Sequence, residues 1–146
     1  MPTELRIHCV HEGGLRMTAG NARFSVTTDY PVKPGVALAG FTPMELLLAS
    51  LASCSGSVVA SLLARLHQPV AGVEVNARGV RRDEHPTVFT SIGLEYVVRG
   101  RGVAPASIER AIAHADRLCP VWAMLKGTPI TTSFTMVDAE PAPVPA

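Results

Sequence analysis

The stretch Thr42-Pro43-Met44-Glu45-Leu46-Leu47-Leu48-Ala49-Ser50-Leu51-Ala52-Ser53-Cys54 decides the fold of this 146-residue chain. Pro43 occupies a first helical position and Thr42-x-x-Glu45 is a capping box, so a helix starts here. It is expected to run from about Pro43 to about His67, where Pro69 shuts it off. From Leu46 to Ala64 it carries no charge. Its length would suffice to span a membrane, but Ser50, Ser53, Ser55, Ser57, Ser61 and Gly56 make it poor in lipid. A buried central helix is the expectation. Because it is apolar nearly all round, one sheet face cannot cover it, and a second subunit is expected to supply the rest.

Working outward, residues 4–11 and 22–28 alternate as half-buried strands do, with turns at Gly13-Gly14 and Gly20-Asn21. Residues 31–41 read as a loop. After the helix, Val70 to Arg82 and Val88 to Arg99 read as a hairpin closed across Asp83-Glu84-His85-Pro86. A second, amphipathic helix is expected over 107–118, a short third over 120–126 ending at Lys126-Gly127, and a last strand over 129–137. Strands grouped in hairpins rather than alternating with helices predict an α+β fold with mainly antiparallel sheet. Residues 1–138 read as a single domain and the Pro/Ala tail 139–146 as disordered.

Composition narrows the function. The chain is 47% hydrophobic and only 17% charged, a balance that favours an obligate oligomer. A net charge of +1, with no basic stripe beyond Arg81-Arg82, argues against nucleic acid as a partner. The N-terminus shows no secretion signal, so a cytoplasmic location is expected, where paired thiols are more often catalytic than structural. His8, Cys9 and His11 do not complete a metal site, since His8 faces away from the other two on a strand. Neither a metal nor an organic cofactor is expected.

Two cysteines carry the candidate chemistry. Cys54 lies in mid-helix among serines, where the helix dipole gives no help and a cation must come from elsewhere. Cys119 precedes Pro120 and so caps the third helix, a position expected to favour the thiolate and depress its pKa. Either could also be a packed core cysteine. Arginine is the cation to look for, because Lys33 and Lys126 are the only lysines. Arg16 and Arg23 are the early candidates, with Glu45 able to orient one if the capping box leaves it free.

The segments around Cys54 and Cys119, the latter continuing Pro120-Val121-Trp122-Ala123-Met124-Leu125 and Gly127-Thr128-Pro129-Ile130-Thr131, together resemble the two cysteine motifs of the OsmC/Ohr family. The hairpin stretch His85 to Ile92 is similar to the region between them, and the resemblance covers roughly residues 40–137. It implies an intertwined homodimer with active sites at the subunit interface. It further implies that Cys54 attacks an organic hydroperoxide and becomes a sulfenic acid, and that Cys119 resolves it as a disulfide. A lipoyl or low-molecular-weight dithiol then reduces that bond. Arg16 takes the part of the family arginine. The chain departs in one place: Met44 stands where the peroxidase branches carry the arginine-binding glutamate, and Glu45 follows one residue later, a turn of ~100° around the helix. Pro-Met-Glu-Leu-Leu-Leu resembles a less characterised OsmC-like branch. The alternative function is a small-molecule-binding or redox-sensing module of the same fold, with the long helix and Trp122 lining its pocket.

Overall fold

In the computed structural model, which describes residues 3–140, the chain divides between Leu47 and Leu48 into two compact units. The first is an antiparallel meander of β1 (His8–Gly13), β2 (Arg16–Gly20) and β3 (Ser25–Thr28). The middle strand is an addition to the sequence reading, which placed two strands here. Gly13 and Gly14 take positive φ values of 109° and 57°, which lets the chain reverse at once and pair His11 with Met17. Residues 22–24 are not strand, because the Asn21 side-chain oxygen accepts from the backbone N–H groups of Arg23 and Phe24 at 2.8 and 2.9 Å. That local bond holds the turn and delays β3 to Ser25. The loop after β3 returns so that Phe41 bridges Thr28, and a Cβ on Gly40 would collide with the Thr27 carbonyl.

Helix α1 (Pro43–Arg65) begins where the capping box predicts. The Thr42 hydroxyl accepts from Glu45 N–H at 3.3 Å, while the Glu45 carboxylate accepts from Thr42 N–H at 3.1 Å and from its hydroxyl at 2.8 Å. Beyond α1 come β4 (Val70–Arg81), β5 (Phe89–Gly100), α2 (Pro105–Leu118), α3 (Pro120–Met124) and β6 (Ile130–Val137). The hairpin β4–β5 is antiparallel from Val70↔Gly100 to Arg81↔Phe89. Strand β6 instead runs parallel to β5, Ile92 beside Ile130, because α2 and α3 form the crossover that a parallel neighbour requires. The fold is α+β with mixed sheets, as read, with this one pairing in the other sense.

The core of the second unit lies between sheet and helices. α1 contributes Leu51, Val59 and Leu63, β5 contributes Ile92, Leu94, Tyr96 and Val98, and α2 contributes Ile108, Ala111, Ile112 and Ala115. In α1 the fully covered positions are Leu51, Ser55, Val59 and Leu63, one residue per turn. The sequence reading expected a helix buried more broadly; the remaining faces are half-buried or exposed. α1 is long and apolar enough to cross a membrane by length and composition, yet its covered stripe is packed into this core. Gly56 lets α1 approach β4, since a Cβ there would stand 2.8 Å from Val75 Cγ2. Of the tail called disordered, residues 141–146 lie outside the described residues, whereas Glu140 sits 2.9 Å from the Arg101 guanidinium.

Candidate active site

Cys54 is set half-buried on α1, one residue before the covered stripe position Ser55. Cys119 ends α2 and begins α3, fully buried at 0% exposure. Its own N–H closes α2 on the Ala115 carbonyl, and its sulfur accepts from the Trp122 backbone N–H at 3.4 Å, so it caps α3 as the Pro120 pattern predicted. The two thiols lie 65 residues apart in sequence, yet Cys54 is near enough to Cys119 to act on its ionisation. Both are free thiols.

The electrostatics reverse one expectation. The capping position was expected to depress the Cys119 pKa, but it is raised. Burial is the largest cause, the neighbouring Cys54 the next, and the Trp122 N–H opposes them only in part. Burial and the neighbouring Cys54 thus both favour the protonated Cys119 thiol. α3 is a helix of five residues, too short to offset desolvation of a buried anion.

Tyr96 and Ser55 complete this neighbourhood and were not singled out from sequence. The Tyr96 ring is fully buried, and burial raises its phenol pKa; Ser55 lies within hydrogen-bonding influence, and a negative charge on Cys119 would raise it further. Its hydroxyl nonetheless has no hydrogen bond of acceptable geometry. A tyrosine in the otherwise apolar alternation of β5 is the signal that could have found it.

The remaining predicted residues lie in the first unit, each with a partner there. Glu45 is engaged in the capping box with Thr42. Arg16, at the start of β2, stands 3.6 Å from the Asp29 carboxylate. Asp29 is buried and accepts from Tyr30 N–H at 2.9 Å and Ala39 N–H at 3.1 Å. The Ala39 N–H is the largest cause of a lowered Asp29 pKa, working against burial and helped by Tyr30 and Arg16. Asp29 thus serves Arg16 as a carboxylate partner, a role the sequence reading considered only for Glu45. Arg23 lies 5.7 Å over the Phe24 ring. Cys9 is exposed on β1, and among the described residues no group of three His, Cys, Asp or Glu gathers as a metal site. Trp122 lines a depression of about 410 Å³ with Arg117 and Lys126, separate from a groove of about 530 Å³ between the small residues of α1 and Val73 and Val75.

The second unit is thus a helix-on-sheet α+β unit that carries two free thiols, Cys54 half-buried on α1 and Cys119 buried between α2 and α3. Comparison with known proteins makes the assignment specific. The chain belongs to the OsmC-like protein family, whose model matches residues 35–133. Protein YhfA of Escherichia coli strain K12 is 38% identical over 100 residues, covering 67% of this chain and 75% of that protein. Among solved structures, the OsmC-like protein from Mycoplasma pneumoniae superposes with a TM-score of 0.81 at 22% identity, over 94% of this chain and 99% of that one. An organic hydroperoxide resistance protein OsmC from Legionella pneumophila gives a TM-score of 0.68 at 15% identity, over 92% and 99% of the two chains. At those identities the two structures establish the fold.

Proposed function

We propose that the protein is a thiol-dependent peroxidase that reduces organic hydroperoxides, with residues 1–138 acting as one domain. The observation that carries this reading is a pair of free thiols, half-buried Cys54 and fully buried Cys119, with Cys54 near enough to help raise the Cys119 pKa. It also supports the division of roles. A buried Cys119 that holds its proton is suited to waiting, while Cys54 is the less buried of the two. The Cys54 thiolate attacks the distal peroxide oxygen; the O–O bond breaks, the alcohol leaves with a proton, and Cys54 becomes a sulfenic acid. Cys119 then attacks the Cys54 sulfur, the S–S bond forms, and the sulfenic oxygen departs as water with the Cys119 proton. A lipoyl or low-molecular-weight dithiol reduces the disulfide and is itself oxidised.

Arg16, buttressed by Asp29, is the guanidinium assigned to steady the thiolate and the peroxide, with Glu45 securing the start of the helix that carries Cys54. A homodimer working in the cytoplasm suits the family and the apolar composition. Exposed Phe24 (72%) and Met124 (84%) are among the side chains a second copy would cover.

The test is single turnover of reduced protein with an alkyl hydroperoxide. Parent protein should consume one equivalent rapidly and form one Cys54–Cys119 disulfide, identified by mass spectrometry. Cys54→Ser should lose the reaction, and Cys119→Ser should let Cys54 advance to the sulfinic acid. Consumption by Cys54→Ser at the parental rate would overturn the reading and leave a fold-related binding module in its place.

A further inference from the structure

We propose that the second unit carries an anion site for a phosphoryl group, held between the last turns of α1 and the middle of α2. The site lies apart from the dithiol chemistry and does not depend on it, since its first α1 residue, Leu62, stands ~12 Å beyond Cys54 along the helix. The two helices leave a cavity of about 90 Å³, lined by Leu62, Arg65, Leu66, Arg110, Ala111 and His114. Ala111 belongs to the core and Leu62 packs against it, whereas Arg65, Arg110 and His114 are exposed. The cavity therefore has an apolar floor and a basic rim. No carboxylate lines it.

The charge around this space is unbalanced. The chain holds 13 Lys and Arg against 12 Asp and Glu, so a general surplus of cations does not explain three bases about one cavity. Arg6, Arg16, Arg99 and Arg101 each pair with a carboxylate, whereas among the described residues Arg65 and Arg110 pair with none. Arg65 has a local reason for its place, because a cation suits the last turn of α1. Arg110 has no such reason in mid-α2, and facing Arg65 across the cavity sets two guanidinium groups against each other unless an anion stands between them. His114 follows one turn later on the same face, with its Nδ1 2.8 Å from the Arg110 carbonyl. A carbonyl only accepts, so Nδ1 carries the proton and Nε2 is left for another partner. A neutral ring accepts there from P–O–H, and a charged ring donates to P–O⁻. Two planar guanidinium forks suit a tetrahedral oxyanion, and a phosphoryl group brings a charge of about −1.5 to −2 to offset them. The cavity is roughly three times the ~30 Å³ share of one liquid water, room for a single head group whose substituent points to solvent.

The test is a phosphorus NMR titration of the full chain with inorganic phosphate and, separately, with methyl phosphate, at an ionic strength fixed with chloride. Parent protein should show one saturable site. Arg65→Gln and Arg110→Gln should each weaken it about tenfold, the worth of one charge-assisted bond, and Arg110→Lys, which keeps the charge and loses the fork, should fall between. Arg101→Gln removes the same charge from a guanidinium already paired with Asp138 and Glu140, and should leave the site unchanged. Thermal melts separate binding from folding: all variants should melt as the parent does in chloride, and phosphate should raise the melting temperature of the parent and of Arg101→Gln but not of the Arg65→Gln/Arg110→Gln double variant. Saturation by both probes supports the site as one for phosphate monoesters, and saturation by phosphate alone supports it as one for the free ion. A parent titration that never saturates, or an equal loss in Arg101→Gln, would overturn the proposal and leave the three bases as a solvated face.

Discussion

Two buried acids set opposite ends of the pH range. Asp29 has a folded pKa below its ordinary value, chiefly through the Ala39 N–H, so the stability it adds is complete above the ordinary carboxylate range and is lost as pH falls through the folded value. Cys119 behaves in the reverse sense: its folded pKa is raised, so its contribution is complete below the ordinary thiol range and is lost as pH climbs toward the folded value. Asp29→Ala should therefore weaken the protein at neutral pH while flattening the acid limb of its urea-midpoint profile. An acid limb as steep as the parent's would refute that assignment. The same raised pKa predicts that disulfide closure, once Cys54 is oxidised, accelerates with pH beyond about 8.5, the ordinary thiol value, when followed by rapid mixing. Neither acid was readable from sequence in this sense. Asp29 sits in a proline- and glycine-rich loop that looks solvent-exposed, and the capping position of Cys119 gave the dipole more weight than the surrounding core allows.

At the scale of elements, α1 was the most legible part of the chain because its start is encoded twice, by the capping box and by Pro43. Thr42→Ala should cost ~1 kcal/mol in chemical denaturation, with Glu45→Gln less harmful because the amide oxygen can still accept from Thr42 N–H. Leu51→Ala, which empties a fully covered site against β5 and α2, should cost about 2–5 kcal/mol. The hairpin β4–β5 was equally plain, since its alternation is long and its turn polar. β2 was not, because Arg16-Met17-Thr18-Ala19-Gly20 has one large apolar residue and a glycine at its end, and its strand character comes from pairing on both sides. The parallel sense of β6 was hidden for a related reason. Strand order depends on where a crossover lands, and no local pattern in Ile130–Val137 records that.

For the whole molecule, apolar surface left uncovered by one chain is the dominant fact. Sedimentation should give twice the mass of one chain, and the melting temperature should rise with protein concentration, as expected where folding and association are linked. A monomer with a concentration-independent melt would count against the second subunit. The family could be recognised from sequence because the two cysteine segments are compact and separately distinctive, whereas the proximity between them belongs to tertiary structure. Cys119 occupies the crossover that delivers β6 beside β5, so its neighbourhood with Cys54 depends on the non-local pairing that folding chains generally complete late. A chain caught halfway to the native topology would keep its sulfurs apart, so the capacity to cross-link them reports that assembly has finished.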